Sequence, residues 1–68
     1  MGQTKVYVKK EESGYHNIFK TYTFTDANGE VIVKQEGYNT TDEEAIASFK
    51  RMFGWVPEIA KAQIIMTN

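Results

Sequence analysis

One stretch limits what this chain can fold into: Thr40 to Gly54, TTDEEAIASFKRMFG, which reads as a helix from its start to its stop. Ala45, Ile46, Phe49, Met52 and Phe53 recur at spacings of three and four, so they share one stripe. Glu43, Glu44, Ser48, Lys50 and Arg51 surround the remainder. Thr41 with Glu44 has the spacing of a capping box, and Thr40 with Glu43 repeats it one residue earlier. Three acids in the first turn suit the positive end of the helix dipole, and Lys50 and Arg51 suit the negative end. Gly54 then reads as a left-handed cap. So apolar a stripe must be covered, and the rest of the chain offers only strands to cover it.

Thr4 to Lys10 alternates as a strand, with Val6 and Val8 facing one way and Lys5, Tyr7 and Lys9 the other. The charged run Lys10-Glu11-Glu12-Ser13-Gly14 reads as the loop that ends it. Asn17 to Thr25 is a second strand, with Ile18, Tyr22 and Phe24 on one side and Phe19, Thr21, Thr23 and Thr25 on the other. Asn28-Gly29 reads as a two-residue hairpin loop that pairs Ala27 with Glu30. Phe24 then lies opposite Val33 and Tyr22 opposite Gln35, and Val31 joins Val33 on the apolar face. Strand three runs from Glu30 to about Glu36. Pro57 is expected to stop helix continuation, and Trp55 or Ile59 to fold back over the helix end. Ala60 to Thr67 is the last strand, with Ala60, Ala62, Ile64 and Met66 on one face and Lys61, Gln63, Ile65 and Thr67 on the other.

The expected fold is therefore α+β, in the order β-β-β-α-β, with one helix on one face of a single, mostly antiparallel, four-stranded sheet. A right-handed crossover favours the fourth strand beside the first, in the order 3-2-1-4, with addition beside the third as the alternative. With 68 residues there is room for one core, so residues 1–68 form a single domain. Folding at that size buries only about 60% of the surface of the unfolded chain, so stability is marginal.

A lone helix leaves the opposite sheet face bare, and this is where function is expected. Tyr7, Phe19, Ile32 and Ile65 fall there with Lys5, Lys9 and Lys34, an apolar patch with a basic fringe. It suits a protein partner, or a second copy of the chain. Aromatics beside lysines on an open sheet also suit single-stranded nucleic acid. Against that stand 8 basic and 9 acidic residues, a net charge of −1, and acids close to the lysines. Catalysis has little to work with. His16 is the one histidine, and a loop histidine alone is normally just solvated. Glu43 and Glu44 are explained by capping, Ser13 and Ser48 have no base at a recognisable spacing, and no glycine-rich phosphate loop is present. The expectation is a non-enzymatic chain without metal or other cofactor. Cysteine is absent, so no disulfide or thiolate site holds the fold.

No apolar run reaches the roughly 18 residues of a membrane span, and no secretory signal precedes the first strand, so the expected address is the cytoplasm. Val6 stands where a myristoylation motif needs Ser or Thr. Asn39-Thr40-Thr41 is formally a glycosylation sequon, read here as helix capping. The layout of a hairpin, a T-x-x-E-A helix start and a final strand is similar to that of small phage-encoded proteins. Among these are inhibitors of host RNA polymerase and some anti-CRISPR proteins, and the resemblance implies action by occupying a larger protein's surface. It carries no functional residue over to this chain.

Overall fold

A computed structural model describes residues 4–67; the first half of the rejected myristoylation motif, Met1 to Gln3, lies outside them. The strands are β1 (Lys5–Ser13), β2 (Phe19–Thr25), β3 (Val31–Tyr38) and β4 (Gln63–Met66), and the helices are α1 (Asp42–Phe53) and a single turn, α2 (Pro57–Ala60). A 3-10 turn, Tyr15–Asn17, joins β1 to β2. The sheet order is β3-β2-β1-β4, antiparallel except for the parallel pair β1 and β4. This is the expected α+β layer with its expected strand order.

The start of α1 follows from its sequence. Thr41 Oγ1 accepts from the Glu44 amide at 3.2 Å, and Glu44 Oε1 accepts from the Thr41 amide at 3.0 Å, so two helix-end donors are satisfied by one residue pair. The helix then lays its apolar stripe across the sheet. Val6, Val8, Tyr22, Phe24, Ala45, Phe49 and Ala62 are buried, with Val33, Ile46, Phe53, Ile59, Ile64 and Met66 packed against them. Phe24 and Phe49 stack with their ring centres 4.3 Å apart and their planes parallel, joining sheet and helix at the centre of the core. Met52, placed on the stripe by its spacing, is instead 44% exposed.

The hairpin differs from expectation in an instructive way. Its loop holds three residues, not two: Asp26 donates to the Glu30 carbonyl at 2.9 Å, and Gly29 donates to the Asp26 carbonyl at 3.1 Å. Asp26 Oδ1 also accepts from the amides of Asn28 and Glu30, and Gly29 supplies the left-handed residue with φ 85°. A bulge between Phe24 and Thr25 absorbs the extra residue, so Phe24 still faces Val33 and Tyr22 still faces Gln35. The cost falls on Val31. It sits opposite Thr25 and is 61% exposed, outside the core it was expected to join.

Other boundaries move for physical reasons. β1 continues through Glu11, Glu12 and Ser13, because Thr21, Lys20 and Phe19 supply ladder partners where the charged sequence suggested a loop. β3 likewise runs on to Tyr38. Ile18 closes the 3-10 turn and so β2 begins two residues later, at Phe19. Gly54 is right-handed, φ −64°, and a Cβ there would meet the Lys50 carbonyl oxygen at 2.7 Å; close approach, not left-handedness, calls for glycine. Pro57 opens α2 at its first turn, where its missing amide hydrogen is harmless. Of the two residues expected to fold back, Ile59 packs on the core and Trp55 stays 79% exposed. β4 starts at Gln63, after Ala60 has been taken into α2.

The described chain is elongated, 44 × 21 × 15 Å. β1, with nine residues, extends about 30 Å, whereas the twelve residues of α1 rise only about 18 Å. The helix therefore covers one end of one face, and the sheet projects beyond it.

Candidate functional site

Beyond the corner pair Lys5 and Gln63, the strand registers divide the open face into four rows across the sheet. The first, at the hairpin end, is Val31, Thr25, Tyr7 and Ile65. Next come Lys34, Thr23 and Lys9, then Glu36, Thr21 and Glu11. The last row, at the projecting end, is Tyr38, Phe19 and Ser13. Strand alternation causes this arrangement: residues two apart share a face, and each pairing carries the row sideways.

Of the residues singled out by sequence, Tyr7 and Ile65 are neighbours and both are half buried. Lys9 and Lys34 share a row with Thr23 between them, and Lys5 lies at the start of β1 beside Gln63. Ile32 is half buried and packs against the core cluster, next to the bulge. Phe19 is set apart. It is six residues along β1 from the row of Tyr7, about 20 Å away. In one copy of the chain the apolar residues thus form two groups separated by a basic and an acidic row.

The projecting end is richer than its sequence suggested. Tyr38 packs edge-on against Phe19 with ring centres 5.3 Å apart, and Tyr15 meets His16 edge-on at 4.0 Å. Tyr15 is 79% exposed and Tyr38 71%. The backbone under them is in left-handed conformations at Gly14 (φ 80°), His16 and Asn17 (both φ 55°) and Asn39 (φ 53°). A non-glycine residue there is held against its own preference, and such sites cluster where a loop has a task. His and Asn tolerate the conformation better than most residues, and that was the one sign in the sequence.

On the helix side of the projecting end lies an open polar hollow of about 560 Å³, lined by Lys10, Lys20, Asn39, Thr40, Thr41, Asp42 and Glu43. Its two lysines and Asp42 are paired. Lys10 Nζ lies 3.2 Å from Asp42 Oδ1, and Lys20 pairs with Glu12. Tyr22 Oη donates to Asp42 Oδ1 at 2.8 Å, with the Thr40 carbonyl 3.1 Å away. The Tyr22 bond, then Lys10, holds the Asp42 carboxyl below its ordinary range. Burial, then the bond to Asp42, raises the Tyr22 hydroxyl well above its own. Glu12 is lowered chiefly by its bond to Lys20. These shifts describe a structural clasp between sheet and helix start. No group of three or more His, Cys, Asp or Glu suited to a metal ion occurs among the described residues, and none of their helices is long and apolar enough to cross a membrane.

Comparison with protein families, curated proteins and solved structures gives no match for this chain.

Proposed function

We propose that this chain is a non-catalytic protein-interaction module that acts by occupying the surface of a larger protein. The observation that carries the reading is the aromatic end, which α1 does not reach, where Tyr38 stands exposed beside Phe19 on the sheet and Tyr15 stands exposed in the adjoining turn. Tyrosine is suited to such a contact: it buries a large apolar ring, keeps a polar tip, and loses little side-chain entropy. Lysines and acids in adjacent rows leave no continuous basic track for a phosphate backbone, which favours a protein partner over nucleic acid. The likeness of element order to small phage-encoded proteins makes a host protein the partner of choice, and action in the cytoplasm belongs to the same proposal.

The test is affinity capture from the native host, comparing the chain with a Tyr15→Ser/Tyr38→Ser variant of unchanged circular dichroism. The reading expects a discrete captured protein that the variant loses. Equal capture by both, or none by either, overturns it.

A further inference from the structure

β3 is the long edge of the sheet, eight residues against the four of β4. Its inner bonding is fixed by the Asn39 amide, which donates to the Ile18 carbonyl at 2.7 Å. Inward and outward bonding alternate along an antiparallel ladder. Val33, Gln35 and Gly37 therefore bond toward β2, and the amides and carbonyls of Lys34, Glu36 and Tyr38 face outward. No described segment pairs with that side.

We infer that a second copy of this chain occupies it, antiparallel and related by a two-fold axis, extending the sheet across both copies. Outward-facing residues must lie opposite one another in the new bonded pairs, which leaves three central registers. Two of them set Lys34 against Lys34, or Glu36 against Glu36, of the second copy. Like charges directly opposite are unfavourable. The third sets Lys34 of each copy against Glu36 of the other, and symmetry makes that favourable pair twice. Neither residue has an ion-pair partner among the described residues, so both are available.

The same register brings Tyr38 level with the bulge of the second copy, beside its exposed Val31. The row Ser13, Phe19, Tyr38 then runs on into the Val31 corner of the second copy, and through its Thr25 to its Tyr7 and Ile65. The two apolar groups, about 20 Å apart within one copy, become neighbours across the junction. Charge pairing thus selects one register, and apolar continuity accompanies it.

Analytical ultracentrifugation of the whole chain, up to millimolar concentration, tests the pairing through Lys34→Glu and Glu36→Lys. The chain is expected to dimerise. Each single variant, with like charges opposite, should weaken the dimer about tenfold. An equimolar mixture of the two variants should recover it as a heterodimer, and so should the double exchange K34E/E36K. Glu36→Pro should give a folded monomer, because the amide it removes faces away from β2. A chain that stays monomeric at millimolar concentration, or a dimer that neither single variant weakens, overturns the inference. Those outcomes leave the proposed host contact standing, because Tyr15, Phe19 and Tyr38 are untouched in every variant.

Discussion

The two ends of the sheet are built from the same strands and held in different ways. At the hairpin end, β1 and β2 lie under α1, and Val8, Phe24 and Phe49 are fully buried. At the projecting end, Glu11 to Ser13 continue the ladder with Phe19 to Thr21, but the residues beneath are Glu12 and Lys20, an ion pair and not a core. The first end is stabilised by burial, at roughly 25 cal/mol per Å² of apolar surface. The second has backbone hydrogen bonds, an exposed ion pair worth little, and the edge contact of Phe19 with Tyr38. The difference teaches that length of strand and stability of strand are separate properties. A ladder can extend beyond its core, and the part beyond presents side chains outward.

Substitutions sharpen that contrast, and the largest effect is expected at the covered end. Phe49→Ala removes the ring stacked on Phe24 and should cost about 3–5 kcal/mol, enough to unfold a chain of this size, as denaturant titration will show. Tyr22→Phe, at the boundary between the two ends, should cost about 1–2 kcal/mol by leaving Asp42 without its shortest partner. Thr41→Ala should cost about 1 kcal/mol through loss of the helix cap. A smaller effect is expected with pH. The folded Asp42 carboxyl lies below its ordinary value of 3.8, so its contribution is present above that value and is lost as pH falls through the folded one. Asp42→Asn should flatten that acid limb, and an unchanged acid limb would separate the clasp from stability. Smallest of all, Tyr15→Ser should alter stability by no more than about 0.5 kcal/mol, despite removing an aromatic ring. A loss comparable to that of Phe49→Ala would mean that the projecting end has a core of its own.

The same contrast explains what could be read in the residues. The covered end follows apolar periodicity, so the Phe24 and Val33 pairing and the stripe of Ala45, Ile46, Phe49 and Phe53 were readable, whereas the strand order was only favoured by crossover handedness over addition beside the third strand. The projecting end follows hydrogen bonding, which leaves little trace in hydrophobic pattern. Glu11, Glu12 and Ser13 look like a loop because their strand character comes from partners on β2. Val31 was misplaced for a related reason: alternation shows which face a residue should take, and a bulge changes that locally without altering the pattern on either side. Of Trp55 and Ile59, either of which could fold back over the helix end, Ile59 packs on the core and Trp55 stays exposed. Of the candidate surface, Tyr7, Ile65 and the lysines could be assigned to the open face by counting in twos. At the aromatic end Phe19 could be assigned in the same way, but Tyr15 and Tyr38 could not, since one lies in a turn and the other in a strand extension.

The four tyrosines report on the account directly, since one lies in the core, one in the apolar row and two at the exposed end. Nitration at low protein concentration, followed by peptide mass spectrometry, should modify Tyr15 and Tyr38 first, Tyr7 more slowly, and Tyr22 only when the chain unfolds. Protection of Tyr15 and Tyr38 to the level of Tyr22 would mean that the projecting end is covered, and would contradict the claim that α1 leaves it open for a partner.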